Sequence, residues 1–398
     1  MKSYHLLLLA FLFTLNCSSY DNTPEMTAGS PAPLKDILTL ELTFGAENLP
    51  DEYLLARPRR MAVNNNKDIY VTDESWIKVY DERGRPKTLM GGRGEGPGEF
   101  DRADLISIGP NGYCTASNVV NYDPYAYNIF SPDNSFAKSI IFRLSNIREY
   151  LKQNDDIYRV TLGMKLNGTN IVVLNENGYI HLADIIKNTK KFSQEEQYWF
   201  YLVYETPDTM ITLVQYRQSH RVQGRGLSEH LFGDLLWSVL PDRRIVYIET
   251  KYDRDISTET TFYILHTKSL DDFTENEVRH TYDPVAIPDS VIADECDGRR
   301  EDSVPIIEEY LRDLKYYAPL QRLFADGYYV FAFTNLTNDK GEIFTDVFDM
   351  ESDRYLRPAY FPFIPQTIRN GYAYRIAEND EGFPVVEKYK IDPAIYEK

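Results

Sequence analysis

Histidine is the side chain that would most directly indicate metal or proton-transfer chemistry in this sequence. Neutral imidazole is a common metal ligand, and its pKa of about 6.5 suits proton transfer near neutral pH. Besides His5, the sequence contains five histidines: His181, His220, His230, His266 and His280. They include no His-x-x-x-His pair, and none recurs at an equivalent position of the repeats described below. The histidines therefore predict neither a metal ligand nor a catalytic residue.

A second pattern with potential chemistry is the carboxylate-rich segment Asp289–Glu309. Carboxylate oxygens are the ligands that calcium prefers, so calcium is the one cofactor the sequence suggests. The Asp-x-Asp-x-Asp-Gly spacing of a calcium loop is absent, and such runs are also typical of solvated loops. Both interpretations remain open.

The glycine-rich run 91–98 resembles a phosphate-binding loop only superficially. It is not followed by Gly-Lys-Ser/Thr, and no Gly-x-Ser-x-Gly nucleophile motif occurs anywhere in the chain. We therefore interpret the run as a turn between two structural units, with no catalytic role.

Two arginines lie in matched contexts and are candidate ligand-binding residues. Arg93 stands in Gly92-Arg93-Gly94 with Phe100 eight positions after the first glycine, and Arg225 stands in Gly224-Arg225-Gly226 with Phe232 at the same offset. Their guanidinium groups would point into a central channel or form salt bridges with a neighbouring unit, and the sequence leaves both open.

Tyrosine is unusually frequent, with 31 residues in 398. Tyrosine offers amphipathic area that suits binding of sugars or peptides, but packing between sheets also consumes aromatic side chains. From the tyrosine clusters we take Tyr125 and Tyr372 as candidate ligand-binding residues.

Composition excludes several classes of protein. The chain has 61 acidic and 43 basic residues and a formal charge of −18, which argues against nucleic-acid binding because phosphate attraction needs a basic surface. Three cysteines cannot form a disulfide scaffold, and whether Cys114 pairs with Cys296 stays open. We expect a monomer.

The N-terminus predicts export. Lys2 precedes the apolar run Leu6–Leu15, which is too short to span a bilayer, and the following Leu15-Asn16-Cys17 resembles a bacterial lipobox. We predict a signal peptide over residues 1–16, a lipid anchor at Cys17 and a flexible tether over 17–36. The expected location is the bacterial cell envelope, lipid-anchored at the outer membrane or in the periplasm. Secretion without lipid and retention as an uncleaved anchor are the alternatives.

Beyond the tether, short β-branched and aromatic runs alternate with turn residues every 8–12 positions, which is typical of antiparallel strands. Four-stranded units are predicted over residues 61–90, 103–142, 157–204, 235–282 and 321–358, and residues 364–390 supply three more strands. Because Ile37–Phe44 is a strand without partners, we predict that it completes the last unit. Closure into a ring would then hide the strand edges. Helical insertions are predicted over 146–155 and 304–317.

These units resemble the NHL-like blade motif of bacterial six-bladed β-propeller lipoproteins, chiefly over Met61–Phe100, Leu236–Tyr247 and Ile368–Tyr374. The resemblance implies an all-β fold, with four-stranded antiparallel sheets over residues 37–391 and a C-terminal tail over 392–398. We expect a non-enzymatic module that binds a protein, peptide or glycan on one propeller face. The alternative is an NHL-like propeller lyase or hydrolase with an axial metal.

Overall fold

Six antiparallel sheets, the blades, surround a central channel. The computed structural model describes residues 31–120, 123–141, 159–162, 171–188, 197–218, 221–222, 225–226, 231, 233–257 and 260–397. The six-bladed β-propeller predicted from the sequence is confirmed.

Three blades consist of four consecutive strands each, after the separate first strand β1 (Leu38–Phe44). Blade one contains β2 (Pro58–Val63), β3 (Ile69–Asp73), β4 (Trp76–Tyr80) and β5 (Pro86–Gly91). Blade two contains β6 (Ala103–Ile108), β7 (Cys114–Val120), β8 (Asp123–Phe130) and β9 (Phe136–Ile141). Blade five, further along the chain, contains β22 (Leu320–Asp326), β23 (Tyr329–Thr337), β24 (Ile343–Asp349) and β25 (Arg354–Phe361).

Blades three and four each have four strand positions, one of which is shared by two strands. Blade three contains β10 (Arg159–Leu162), β11 (Val172–Asn175), β12 (Gly178–Asn188), β13 (Gln197–Glu205) and β14 (Met210–Gln218), with β10 and β11 both paired to β12. A two-residue hairpin, β15 (Arg221–Val222) and β16 (Arg225–Gly226), follows. Blade four contains β17 (Leu235–Val239), β18 (Arg244–Glu249), β19 (Arg254–Asp255), β20 (Phe262–Ser269) and β21 (Glu275–Thr281), with β18 and β19 both paired to β20.

Blade six is built from both ends of the chain. It contains β26 (Thr367–Arg369), β27 (Tyr372–Glu378), β28 (Pro384–Ile391) and the N-terminal β1. Strand β1 pairs antiparallel with β28 from Leu38↔Ile391 to Phe44↔Val386. The predicted closure by Ile37–Phe44 is therefore confirmed, and pairing across the join replaces an open sheet edge with ladder hydrogen bonds.

The turns explain why the strands lie where they do. Asn370 and Gly371, which join β26 to β27, both have positive φ (55° and 77°), as a two-residue hairpin turn requires. Gly327, in the turn between β22 and β23, also has positive φ (61°). We call the face of the ring that carries these turns after the first strands the turn face. The links between successive blades lie on the opposite, connection face.

Two helices differ in how well the sequence predicted them. Helix α1 (Asp289–Cys296) lies within the carboxylate-rich segment and was not predicted, because it buries only Ile292 and so lacks an apolar period. Helix α2 (Val304–Leu314) was predicted, and its Ile307 and Leu311 pack with Ile292 of α1. The predicted helix over 146–155 lies outside the described residues. Short 3₁₀ turns occur at Asp51–Tyr53 and Pro393–Tyr396.

Blade three continues further than the sequence predicted, because β14 follows the predicted end at residue 204.

No helix in the part of the chain that the structure describes is long and apolar enough to cross a membrane. Before β1, Leu34 forms an isolated parallel bridge with Ala359 of blade five.

Candidate binding site in the central channel

All six blades contribute to the wall of one central cavity. Its volume is about 880 Å³, and it is lined mainly by the first strand of each blade. Apolar side chains cover much of the wall, among them Met61, Val63, Ile106, Ile108, Leu323, Phe324 and Ile368. The cavity is therefore a channel with a largely apolar wall, and several of its polar groups lie in the turns that follow the first strands.

At the turn face, the rim of the channel is organised around Asp326, which is 8% exposed at the end of β22. Its carboxylate accepts hydrogen bonds from the backbone N–H groups of Asn370 (2.6 Å) and Gly371 (2.7 Å) in blade six. The hydroxyl of Tyr396 also donates to it, at 3.1 Å. Burial, followed by the nearby charge of Asp326, raises the pKa of Tyr396, so this phenol stays protonated as a donor.

The same rim continues through blades six, one and two. The Asn370 amide donates to the backbone carbonyl of Asn64 (2.9 Å), and Arg369 Nη2 donates to Asn65 Oδ1 (2.5 Å). Asn65 Nδ2 in turn donates to the carbonyl of Pro110 (3.1 Å). Amides and carbonyls that pair in this way gain a partner in place of the water that they lose. The network thus joins blades five, six, one and two.

Arg369 differs from its neighbours in the rim because most of its donors are uncommitted. Within the described residues its guanidinium makes a single hydrogen bond, to Asn65, and forms no ion pair within 4 Å. Burial lowers its pKa, and the charge of Asp326 partly opposes that effect. A guanidinium carries five N–H donors. Arg369 therefore presents a partly desolvated cation to the channel.

A second arginine of the channel wall, Arg322, belongs to β22 and is exposed. Its one hydrogen bond among the described residues is to the carbonyl of the adjacent Gln321, at 2.9 Å. Aromatic side chains also line the channel, namely Trp237, Phe324, Tyr328, Tyr329 and Tyr396. Tyr329 and Tyr396 contact each other edge to face at 4.8 Å between ring centroids.

Of the four binding residues predicted from the sequence, two have described side chains, and neither lines the channel. Arg93 is exposed in the link between blades one and two, where it forms an isolated bridge with Phe100. Tyr372 lies in β27, where the ammonium of Lys388 sits 4.0 Å from its ring centroid. Arg225 lies in β16 and Tyr125 in β8, but the structure does not describe their side chains, and Cys17 lies outside the described residues.

The glycine-rich link itself is a connection between blades, as the sequence predicted. Phe100 is fully buried and contacts Phe130 of blade two, and its N–H donates to the carbonyl of Gly92 at 2.8 Å. Gly92 has φ of +124°, a conformation that other residues rarely adopt. The second copy, around Arg225, lies largely outside the described residues.

The three histidines with described side chains occupy separate sites away from the channel wall. His181 pairs with Glu205 (3.1 Å), His266 with Asp253 (3.2 Å) and His280 with Asp346 (3.3 Å). Among the residues the structure describes, no group of three or more His, Cys, Asp or Glu could hold a metal ion. The two carboxylates of the described channel wall are Asp234 and Asp326.

Cys114 and Cys296 are free thiols and do not pair with each other.

Many tyrosines pack between sheets, which is the second of the two roles considered for them from the sequence. Six of them are fully buried between sheets: Tyr70, Tyr80, Tyr201, Tyr216, Tyr263 and Tyr374.

Comparisons with known proteins assign this chain to no family. No protein-family model matches the sequence, and no curated protein matches it. Among solved structures, a Bacteroides fragilis protein described as exported shares 13% identity over 90% of this chain and 99% of its own, with a TM-score of 0.46. A gluconolactonase from Xanthomonas campestris shares 9% identity over 93% and 100%, with a TM-score of 0.35. A Bacteroides caccae protein of unknown function shares 10% identity over 77% and 83%, with a TM-score of 0.34. At these values none of the three indicates a ligand or an activity for this chain.

The residues that form the rim were not singled out by the sequence. The Asn370-Gly371 dipeptide was visible as a hairpin signal, and it places Arg369 at the end of a first strand. The first residue after each first strand is the signal that would have found Asn64, Gly327 and Asn370. Tyr396 carries no such signal, because it reaches the channel from a 3₁₀ turn after the last strand.

Proposed function

We propose that this chain is an exported lipoprotein of the bacterial cell envelope, anchored by lipid at Cys17, whose propeller binds a protein, peptide or glycan at the turn-face mouth of its channel. The observation that carries the proposal is the open channel with a rim of amides, Arg369 and tyrosine side chains over apolar walls. Binding sites for organic ligands combine apolar surface with a few fixed polar groups in this way.

The rim is suited to recognition because its scaffold is already fixed. Asp326 accepts the N–H of Asn370, and Asn65 is hydrogen-bonded to Arg369 and to the carbonyl of Pro110, so these side chains need little further ordering when a ligand binds. Tyr328 is half-buried in the turn beside Asp326 and offers ring area together with a hydroxyl group. A peptide or glycan would contact this ring and the amides at once.

A binding screen with the purified full-length protein, using glycan and peptide arrays, tests the proposal. Tyr328→Ala should reduce retention of the ligands found by at least fivefold, because the mouth loses its half-buried ring. Tyr252→Ala is the matched control, since Tyr252 is 46% exposed in blade four and lies outside the channel wall. Equal loss in both variants, or no retained ligand at all, would contradict binding at this mouth.

The anchor is tested separately. Cys17→Ser should move the protein from the membrane fraction to the soluble fraction of the envelope, and it should abolish incorporation of labelled palmitate. Cys114→Ser is the control, because that thiol is buried in the propeller. Continued palmitate labelling of Cys17→Ser would disprove the anchor and leave binding by the propeller untouched.

A further inference from the structure

We infer that the ligand of the channel carries a carboxylate on an apolar body, and that its carboxylate pairs with Arg369 at the turn-face mouth. This inference rests on the proposed function, because it names the chemistry of the ligand for the same channel. It follows from three properties of the channel wall, which are the pairing of its charges, the burial of Arg369 and the position of the apolar side chains.

The charged groups of the channel wall are unevenly paired. Both carboxylates accept hydrogen bonds from the protein itself, since Asp326 binds two backbone N–H groups of blade six and Asp234 binds the N–H of Leu235 at 2.8 Å. Neither Arg369 nor Arg322 has a carboxylate within 4 Å among the described residues. The channel therefore has two cations without ion pairs and two anions already hydrogen-bonded.

Arg369 is the cation that gains most from an anionic ligand. It has lost much of its contact with water, and its pKa is lowered by burial, whereas Arg322 is exposed. Asp326, the acid whose charge acts on Arg369, already accepts hydrogen bonds from Asn370, Gly371 and Tyr396. A carboxylate matches the planar fork of a guanidinium through two parallel hydrogen bonds, which strengthens the pair. A carboxylate of the ligand would thus supply the ion-pair partner that Arg369 lacks within the described residues.

The apolar part of the ligand is specified by the wall beyond the rim. The first strands end at the rim, and next to it they place Val63 of blade one, Ile108 of blade two and Ile368 of blade six in the channel wall. Burying apolar surface against such side chains contributes about 25 cal/mol for each Å² removed from water. A ligand with a carboxylate at one end and an alkyl or aliphatic group at the other satisfies both parts of the channel.

Two sources supply this chemistry, and the probes separate them. The fatty acid decanoate carries the group on an alkyl chain, and a hexapeptide with a C-terminal leucine carries it at a chain terminus. Decanol and the C-terminally amidated hexapeptide lack the charge, and butyrate lacks most of the apolar body. Calorimetric titration of the full-length protein measures each affinity.

We expect decanoate or the free-acid hexapeptide to bind at least tenfold more tightly than its uncharged counterpart, and decanoate to bind more tightly than butyrate. Binding by decanoate alone identifies an acyl-chain ligand, and binding by the hexapeptide alone identifies a chain terminus. Because this comparison uses the unaltered protein, a variant that fails to fold does not affect it. Equal binding of acid and uncharged counterpart, or no binding of either acid, overturns the inference.

The variants locate the site. Arg369→Gln should weaken binding of the acid at least tenfold and leave the uncharged counterpart unaffected, while Arg369→Lys, which keeps the charge without the planar fork, should fall between. Arg83→Gln is the matched control, because Arg83 is an exposed arginine in the turn between β4 and β5, outside the channel wall. Unchanged acid binding in Arg369→Gln overturns the inference, whereas retention of array ligands would still support the proposed function.

Discussion

Two groups of carboxylates in this propeller are held in opposite ways. At the turn-face rim, Asp326 is surrounded by donors, two of them backbone N–H groups of the next blade. In blade four, Glu249 faces other acids instead. Burial and then the charge of Asp253 raise the pKa of Glu249 to about 7. At the rim, the Asp326 carboxylate joins blades five and six. In blade four, ionisation of Glu249 as pH rises makes the folded state less stable.

His266 is the partial remedy within the blade-four group. It pairs with Asp253 and stacks on Tyr247 at 5.0 Å between ring centroids. Burial lowers its pKa, but the hydrogen bond with Asp253 and the charges of Glu275 and Glu277 outweigh burial, so the pKa of His266 is raised overall. Backbone donors give an acid a partner at every pH at which the acid is ionised. A histidine partner is charged only below its own pKa.

The largest effect is expected at the packing between β1 and blade one, which forms only when the ring closes. Phe44 of β1 is 9% exposed and contacts Tyr80 of blade one at 4.8 Å between centroids. Phe44→Ala should lower the free energy of unfolding by about 3 kcal/mol, through lost burial and a cavity between blades six and one. Denaturant unfolding measures this value. Leu40→Ala, on the same strand but 50% exposed, should cost under about 0.5 kcal/mol. Similar costs for both would contradict closure by packing.

Removing the rim acid is the next test. Asp326→Ala should cost about 2 kcal/mol, because the N–H groups of Asn370 and Gly371 lose their acceptor in a buried place. Asp326→Asn should cost less, since its amide oxygen still accepts one bond. Asp339→Ala, at an exposed turn of the same blade, is the control and should cost under about 0.5 kcal/mol. If Asp326→Ala behaves like the control in denaturant unfolding, the rim does not join the blades.

A smaller effect distinguishes blade four by its dependence on pH. Between the ordinary Glu pKa of 4.5 and about 7, the unfolded chain releases the Glu249 proton while the folded protein keeps it, so this group lowers stability as pH rises. Glu249→Gln should match the wild type at pH 4 and exceed it by about 1–2 kcal/mol at pH 8, a value reduced by water around the half-buried carboxylate. Unfolding curves at both pH values measure the difference. A constant offset would contradict the assignment.

The smallest effect concerns His266. Because its folded pKa is raised above 6.5, its ion pairs stabilise the fold fully below pH 6.5, and this contribution is lost as pH rises through the folded pKa. His266→Gln should therefore cost about 1 kcal/mol at pH 5.5 and little at pH 9. Chemical unfolding at the two pH values checks this, and an equal cost at both would mean that only packing against Tyr247 is lost.

The architecture was predictable because the information that specifies it is local. Alternating strands, turn residues and a final unit one strand short led directly to closure by Ile37–Phe44. Where local signals fail, the prediction failed too. Helix α1 has one buried residue and no period, and β14 belongs to blade three, in which two short strands share one position.

The candidate site was less accessible because it is assembled from residues far apart in the chain. Arg369 and Asn65, which share a hydrogen bond, are 304 positions apart. Each is unremarkable in its own segment, whereas Arg93 attracted attention through its glycine-rich surroundings. Local pattern marks where the chain turns, but which side chains meet across blades depends on the closed ring.

The pairing of β1 with β28 also dictates an order of folding. The first strand of the propeller can acquire its partner only after the last strand has been made, because 339 residues lie between Phe44 at the end of β1 and Pro384 at the start of β28.

 Residues 45–383, which form five blades and two of the four strands of the sixth, lie between the two strands. Until β28 is present, β1 exposes unpaired backbone groups and the apolar side of Phe44. Export with the N-terminus first, as proposed above, would keep the first strand unpaired until β28 had also crossed the membrane. A protein that lacked β28 (Pro384–Ile391) would leave the edge of β1 open to association with other chains.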